Sequence, residues 1–163
     1  MDQRIPGDLA GVPPISVHFV NNVLATAASY IEEDPDTARD VLAELGAFLT
    51  HRLRGPRTVS PADELEHVAV YVRLEQARFP GRIDAELPPP GELPAATAVP
   101  GAVQAPVSEA LGRWLGRHPG RVRMALRARN GGLDLQLDRP DEPGEPGERL
   151  RIGFEPDHTG TLA

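Results

Sequence analysis

Two amphipathic segments separated by only a few residues constrain the fold of this chain more than any other feature. Apolar residues recur in the first segment at helical spacing, at Ile15, Phe19, Val20, Val23, Leu24, Ala27, Tyr30 and Ile31. Turned by about 100° per residue, they cover one broad arc of a helix. The second segment repeats the pattern at Ala38, Val41, Leu42, Leu45, Phe48, Leu49 and Leu53. Asp34 can cap a helix that Pro35 opens, so the sequence predicts two antiparallel helices.

The boundaries of this helical hairpin are also predicted from the sequence. Residues 1–12 show little pattern and are expected to form a loose lead-in, whereas Gly55-Pro56 is expected to end the second helix. A hairpin of two helices cannot bury both of its apolar faces by itself. A partner chain or the C-terminal part of the sequence must therefore cover them.

A third helix is predicted to begin at Ser60. Ser60 can cap the helix, Pro61 suits its first turn, and Asp63 is the acidic residue at the third helical position. Three polar residues near the start of this helix are interpreted as a solvated face, namely Glu64, Glu66 and His67. They have no second cluster of ligands nearby, so the sequence predicts no metal site.

Further elements follow the third helix. Ile83–Leu87 is predicted to form a short strand and Pro88–Pro100 a loop broken by prolines. Residues 103–115 have the pattern of a fourth helix, which Pro106 and Gly112 are expected to weaken.

The clearest β pattern lies near residue 125. Apolar residues alternate with arginines before the turn Asn130-Gly131-Gly132, and leucines alternate with polar residues after it. This predicts a β-hairpin with one apolar and one charged face. The arginines, which are Arg121, Arg123, Arg127 and Arg129, are expected to pair mainly with Asp134 and Asp138 across the hairpin. An acidic loop at 139–148 and a last strand at Leu150–Phe154 complete the prediction.

These elements predict an α+β fold. We expect residues 1–58 to form a helical hairpin that dimerises as a four-helix bundle. Residues 59–163 are expected to form a small domain with a mostly antiparallel sheet.

Composition excludes several classes of function. The chain has 163 residues, no Cys and a formal net charge of −7, and its 17 basic residues are all Arg. Without Cys there is no disulfide scaffold, thiolate zinc site or cysteine nucleophile. The acidic charge argues against general nucleic-acid binding. Since no apolar run approaches the roughly 18–20 residues of a membrane span, we expect a cytoplasmic protein without a membrane span.

His18 is the residue most suited to chemistry. It lies at the edge of the first apolar arc, and Asn22 follows four residues later on the same face. An accessible imidazole is nucleophilic near neutral pH and can accept a phosphoryl group, and an adjacent amide could orient its ring. The same spacing also fits an ordinary solvated histidine. His51, His118 and His158 lie far apart in sequence and are assigned no role.

The segment around His18 resembles a known family. His18-Phe19-Val20-Asn21-Asn22-Val23-Leu24 is similar to the phosphoacceptor segment P-H-F-L-F-N-x-L of Lyt-type sensor histidine kinases, with Val17 and Asn21 as departures. The resemblance continues into the family pattern Y-L-x-I-E-x-x-R-F-x-x-R, which matches at Tyr71, Glu75, Arg78, Phe79 and Arg82. It covers residues 14–115, although Thr50 stands where the family has Arg.

The resemblance implies a dimeric histidine-phosphotransfer hairpin followed by a GHKL-type ATP-binding domain. In the family box Q-P-L-V-E-N-A, Asn holds the Mg²⁺ that bridges the ATP phosphates, but Glu109 stands there in this chain. Asp138 matches the Asp of the family's D-x-G-x-G turn, yet Arg139-Pro140 follows it in place of the glycines. With 25 residues after Asp138, the domain is expected to be truncated and degenerate.

Three functions remain open at this point. The leading hypothesis is a histidine phosphotransfer protein, similar to the sporulation-type phosphotransferases, with the phosphoryl group on His18 and Asn22 orienting the ring. Its expected partners are a second copy of the chain and a response-regulator receiver domain or a separate kinase, and it needs no cofactor. The alternatives are an ATP-dependent kinase that uses ATP and Mg²⁺ near Glu109 and Asp138, and a dimeric scaffold that binds a regulator without phosphotransfer.

Overall fold

The structure is a computed structural model that describes residues 12–54 and 58–156. Its helices are α1 (Val17–Tyr30), α2 (Pro35–Arg54), α3 (Pro61–Arg78) and α4 (Gln104–Arg117). Its strands are β1 (Ile83–Glu86), β2 (Ala96–Thr97), β3 (Val122–Arg129), β4 (Gly132–Asp138), β5 (Glu148–Gly153) and β6 (Glu155–Pro156). Most of the expected lead-in (residues 1–11), the hairpin end at Gly55-Pro56, and His158 lie outside the described residues.

Helices α1 and α2 form the predicted hairpin, and side-chain caps fix where each begins. Ser16 caps α1, because its hydroxyl accepts a hydrogen bond from Phe19 N at 3.2 Å. Asp34 caps α2 as expected, since its Oδ1 accepts from Thr37 N at 3.0 Å. Each cap satisfies a backbone donor that has no partner within the helix.

Helix α3 covers part of the hairpin. Ser60 and Asp63 form a capping box at its N-terminus, which confirms the predicted start. The helix packs against both α1 and α2, and the Tyr30 hydroxyl donates to the Ala77 carbonyl at 3.0 Å. The chain therefore buries the inner face of its own hairpin without a partner.

The sheet has the strand order β1-β3-β4-β5, in which only β1 and β3 are parallel. Asn130 and Gly131 have φ angles of 44° and 75°, the left-handed values that a two-residue hairpin turn needs. The predicted alternation is confirmed: the apolar residues of β3 and β4 are buried, except Ala128, which is half-buried. The α+β fold class is thus confirmed, and the added pair of β2 with β6 lies partly in the predicted proline-broken loop.

The arginines of β3 lie on the exposed face of the sheet. Arg123 and Arg129 pair with Asp138 and Asp134 as expected, with N–O distances of 3.9 and 3.8 Å. Arg127 pairs with Glu86 of the neighbouring strand β1 at 3.5 Å. Such exposed pairs contribute little stability, so this face is solvated by mixed charges.

Helix α4 corrects one expectation. It runs without interruption from Gln104 to Arg117, and Pro106 does not disturb it. Pro106 lies in the first turn, where a missing N–H costs no hydrogen bond and the fixed φ of proline is helical.

One hydrophobic cluster joins the helices to the sheet, with members from Val23 in α1 to Ile152 in β5. Trp114 belongs to it, as a core residue of the C-terminal part. The boundary predicted between residues 58 and 59 stays a prediction. Among the described helices, none is both long and apolar enough to cross a membrane.

The interpretation of α3's first turns as a solvated face is wrong for two of its three residues. Glu64 is 0% exposed and His67 is 3% exposed, whereas Glu66 points to solvent. His67 stacks between Phe48 and His51 of α2, with ring centroids 4.5 and 4.1 Å away. Because α2 packs over this part of α3, polar side chains that would be solvated on a free helix become core residues.

Burial changes the ionisation of His67. The pKa of His67 is lowered to about 3, because burial disfavours the imidazolium and because His51 and Arg52 add positive charge nearby. Glu64 binds His51 rather than His67. His67 is therefore neutral in the folded chain at neutral pH.

His67 is expected to make the folded chain sensitive to acid. The unfolded chain, with an ordinary histidine pKa, binds the extra proton first, so stability should fall below about pH 6.5 by up to about 1.4 kcal/mol per pH unit. Urea unfolding at several pH values between 5 and 7.5 measures this. The variant His67→Phe should show a flatter pH dependence, whereas the control His118→Phe should keep that of the unsubstituted chain. Equal slopes for the His67→Phe variant and the unsubstituted chain would contradict the assignment.

Candidate functional site

A cavity of about 380 Å³ lies where the four helices meet. Helix α1 contributes His18 and Asn22, and α4 contributes Glu109 and Arg113 on the other side. Helices α2 and α3 complete the lining with Phe48, Arg52, Tyr71, Glu75 and Arg78. The fold therefore brings together His18, Asn22 and Glu109, three of the four site residues predicted from the sequence.

His18 is placed by the packing of its neighbour. Phe19 contacts the rings of Phe48 and Tyr71, with centroid distances of 5.2 and 5.4 Å. This contact fixes the rotation of α1, so that His18, one residue earlier, is exposed at the edge of the cavity. An exposed imidazole beside a cavity is accessible to a second protein and to a phosphoryl group.

Asn22 lines the cavity one helical turn after His18. Its Nδ2 atom is buried and has no hydrogen-bond partner among the described residues. Since buried amide donors are almost always paired, this donor is open to a ligand acceptor such as a phosphoryl oxygen. No hydrogen bond joins the described side chains of Asn22 and His18, so the predicted role of Asn22 in orienting the ring stays a prediction.

The cavity lining carries three arginines, which are Arg52, Arg78 and Arg113, and two carboxylates, which are Glu75 and Glu109. Arg113 lies 3.1 Å from Glu109 and also binds Glu148 at 2.6 Å. Arg78 lies 3.4 Å from Glu75. Arg52 has no carboxylate in hydrogen-bond contact among the described residues. Arginines outnumber carboxylates by three to two in the lining, although Glu148, outside it, also pairs with Arg113. Arginine side chains suit an anionic group there.

Glu75 is a buried carboxylate in this lining, with 3% exposure. Burial raises the pKa of Glu75, and the nearby Arg78 guanidinium opposes part of that rise. Burial also raises the pKa of Tyr71, with the negative charge of Glu75 as a second cause. The cavity wall formed by α3 thus contains an ion pair of Glu75 and Arg78, in which Glu75 is the buried member.

Glu109 and Asp138, the two residues predicted for a nucleotide site, lie in different surroundings. The Glu109 side chain is 76% exposed and pairs with Arg113 within α4. Asp138 ends β4, does not line the cavity, and has Arg123 as its nearest cation at 3.9 Å. The chain after Asp138 turns through an acidic loop and returns to α4, where Glu148 accepts a hydrogen bond from Trp114 Nε1 at 2.6 Å. Glu109 therefore lines the cavity together with His18, whereas Asp138 does not, so the two predicted nucleotide residues do not share one cavity.

Within residues 12–54 and 58–156, no group of three or more His, Asp or Glu side chains is arranged to hold a metal ion. Glu109 alone offers an exposed carboxylate beside the cavity, and its contact with Arg113 competes with a cation.

Two buried residues of the site were missed by sequence reasoning, Arg52 and Gln104. They are 2% and 4% exposed, and Arg52 donates a hydrogen bond to Gln104 Oε1. A signal for Arg52 was present, because it follows Phe48 by four residues and so shares its buried helical face. Gln104 matches the first residue of the family box Q-P-L-V-E-N-A, but its burial had no signal in the sequence, because it depends on how α4 packs against α2.

The chain is similar in sequence to known histidine kinases. The histidine kinase family model matches residues 14–83, which span α1 to the start of β1. The sensor histidine kinase BtsS of Escherichia coli strain K12 is 30% identical over 131 residues, which cover 80% of this chain and 23% of that protein. The sensor protein LytS of Staphylococcus saprophyticus is 38% identical over 72 residues, covering 43% of this chain and 12% of LytS.

A third relative also matches most of the chain. The sensor protein LytS of Enterococcus faecalis is 27% identical over 127 residues, covering 76% of this chain and 22% of that protein. The chain thus spans less than a quarter of the length of these relatives. On the His18 segment, the family-model match and these relatives, the chain belongs to the Lyt-type sensor histidine kinase family.

Proposed function

We propose that the chain is a histidine phosphotransfer protein, or degenerate sensor kinase, of a two-component system, and that it carries the phosphoryl group on His18. One observation carries the proposal: the exposed imidazole of His18 borders a cavity that also contains three arginines and the unpaired Asn22 amide. An exposed imidazole beside arginines and a free amide donor suits reversible phosphorylation.

The proposed reaction moves a phosphoryl group between an aspartate of a receiver domain and His18. An unprotonated ring nitrogen of His18 attacks the phosphorus of the aspartyl phosphate. The nitrogen–phosphorus bond forms as the oxygen–phosphorus bond breaks, and the aspartate leaves as a carboxylate. The proton on the other ring nitrogen passes to solvent, and the reverse reaction restores the aspartyl phosphate. Neither direction consumes ATP.

The residues around His18 support phosphorylation of its imidazole. Arg113 is 40% exposed and Arg78 is 29% exposed, so both guanidinium groups are accessible from the cavity side of the fold. Arginine binds phosphoryl oxygens through two parallel hydrogen bonds, and the Asn22 amide would add a third donor. We assign Asn22 to the site, with ring orientation as its proposed role when His18 is phosphorylated.

ATP-dependent autophosphorylation is the second candidate. It is favoured by one observation, that Glu109, at the position of the family's Mg²⁺-binding Asn, lines the same cavity as His18. Against it, Glu109 is paired with Arg113, Asp138 lies outside the cavity, and an acidic loop replaces the glycines after Asp138. Phosphate groups would be repelled by that loop, so we rank phosphotransfer without ATP first.

The expected partners are a receiver domain or kinase and a second copy of the chain. Three apolar side chains on α1 and at its C-cap remain 45–59% exposed and recur every seven residues, namely Val17, Leu24 and Ile31. On α2, Leu42 and Leu53 are exposed as well. This surface supports dimerisation through the hairpin, as a four-helix bundle would require. Because receiver domains act in the cytoplasm, we place the protein there.

Phosphotransfer to His18 is tested with a phosphorylated receiver domain from a regulator encoded beside this chain. We expect radioactive label on the chain that is stable to alkali and labile to acid, as an imidazole–phosphate bond is. The variant His18→Ala should lose the label, by at least about a hundredfold in rate, because it lacks the nucleophile. The control His118→Ala should keep it. Equal labelling of the His18→Ala and unsubstituted chains would refute the role of His18.

The choice between the first two candidates is tested by titrating the chain with ATP and Mg²⁺ in a calorimeter. Phosphotransfer alone predicts no heat of binding and no label on His18 from γ-labelled ATP. Saturable binding together with label on His18 would instead establish the autophosphorylating kinase. Binding of the receiver domain with no transfer from either donor would establish the non-catalytic scaffold.

The proposed dimer is tested by placing a charge in the apolar stripe of α1. Leu24→Glu should convert a dimer to a monomer in sedimentation velocity, because burying an unpaired carboxylate at the interface is costly. The matched control is Ser29→Glu, on an exposed part of the same helix away from the stripe. A monomeric unsubstituted chain, or a Leu24→Glu variant that stays dimeric, would contradict dimerisation through this face.

A further inference from the structure

The N-terminus of α4 is held by Arg52 near the end of α2 and by Glu64 near the start of α3. Residues 101–104 approach α4 between α2 and α3, and Val103 and Gln104 are 0% and 4% exposed. Helix α4 carries the cavity wall opposite His18, with Glu109 and Arg113. Whatever fixes residues 101–104 therefore fixes that wall.

Arg52 of α2 makes the central contact. Its guanidinium donates to Gln104 Oε1 at the start of α4 and to the Pro13 carbonyl just before α1. Arg52 is 2% exposed and also lines the cavity. A single buried side chain thus binds both the chain entering α1 and the first residue of α4.

Glu64 of α3 completes this buried network. Its two carboxylate oxygens accept hydrogen bonds from Gly101 N at 2.8 Å and Val103 N at 3.0 Å, and His51 Nε2 lies 3.0 Å from Oε1. Glu64 is 0% exposed. Burial lowers the pKa of the nearby Arg52, and the negative charge of Glu64 opposes part of that shift. The carboxylate satisfies backbone donors that would otherwise be buried without partners.

Gly101 shows how closely Arg52 packs against this segment. Its φ of 90° lies in the left-handed region, and a Cβ at this position would lie 2.5 Å from Arg52 Cζ. The backbone can reach Arg52 only where a side chain is absent. The guanidinium therefore has one position, set by Gly101 on one face and by its two acceptors.

We propose that Arg52 is a positioning residue for the phosphotransfer reaction: by binding Gln104 and the Pro13 carbonyl together, it holds α4 and α1 as facing walls of the cavity that contains His18. The proposal rests on the proposed function of His18. Arg52 acts through α4 and the start of α1, and it receives no phosphoryl group itself.

The role of positioning predicts a specific kinetic effect. The receiver domain has to reach His18, which is exposed, whereas the wall formed by α4 has to be in place during transfer. Loss of Arg52 should therefore lower the maximal transfer rate and leave the half-saturating receiver concentration unchanged. A displacement of about 1 Å at a reacting centre can cost about a hundredfold in rate.

The kinetic test measures transfer from a phosphorylated receiver domain to the full chain. Arg52→Gln should lower the maximal rate by at least about tenfold, with the half-saturating concentration within about twofold. Arg52→Lys keeps the cation but replaces the planar fork of donors by a compact ammonium group, and should recover part of the rate. Gln104→Leu removes only the acceptor on α4 and should resemble Arg52→Gln. The exposed control Arg39→Gln should match the unsubstituted chain.

A distance measurement tests the same proposal without phosphotransfer. Because the chain contains no Cys, Asn21→Cys on α1 and Arg117→Cys on α4 can carry spin labels at two defined positions, both exposed. Pulsed electron resonance should give a narrow distance distribution for the otherwise unsubstituted pair. Adding Arg52→Gln or Gln104→Leu should broaden or shift it, and adding Arg39→Gln should not.

The outcomes separate this proposal from the proposed function. If the unsubstituted chain takes no label while Arg52→Gln broadens the distance, the function of His18 fails and the positioning of α4 stands. If the distances are unchanged in folded Arg52→Gln or Gln104→Leu chains, or if only the half-saturating concentration rises, positioning by Arg52 is overturned. Should Arg52→Gln fail to fold, Gln104→Leu decides both readouts.

Discussion

A buried carboxylate is the constraint on which the arrangement of this chain depends. Glu64 has no access to water, so its charge has to be matched inside the fold. It is matched by two backbone N–H groups before α4 and by His51 from α2. Three segments that are distant in sequence are thereby fixed to one another. Removing one partner of such a buried group typically costs about 3–5 kcal/mol, so the network resists rearrangement.

The position of the cavity follows from that constraint. With α4 fixed against α2 and α3, its Glu109 side faces α1, and His18 borders the space between them. The apolar residues Val17 and Leu24 lie on another part of the exposed surface of α1, turned from His18 by about 100° or more around the helix. One helix can thus present an apolar stripe to a second copy while leaving its histidine open to a receiver domain. Dimerisation and phosphotransfer would then use separate surfaces of the same element.

Local signals in the sequence were sufficient to predict the helices, the β-hairpin and the position of His18 on the first helix. Caps at Asp34 and Ser60, and the turn at Asn130-Gly131, are encoded by a few adjacent residues, so they could be predicted before any packing was known. The burial of Glu64, His67 and Arg52 could not, because it depends on which helix covers which face. The sequence does show that Arg52 is a charged residue within an apolar helical face, but it does not show which groups Arg52 binds. Its two acceptors, Gln104 and the Pro13 carbonyl, can be identified only from the packed structure.

The central claim is that His18 is the phosphoacceptor, and chemical phosphorylation tests it most directly. Phosphoramidate transfers its phosphoryl group to imidazole with release of ammonia, and peptide mapping by mass spectrometry locates the labelled ring. His18 is exposed, whereas His67 is buried and His51 and His118 are half-buried. We predict that His18 is labelled faster than these three histidines. Labelling of His51, His67 or His118 at an equal or higher rate would contradict the assignment.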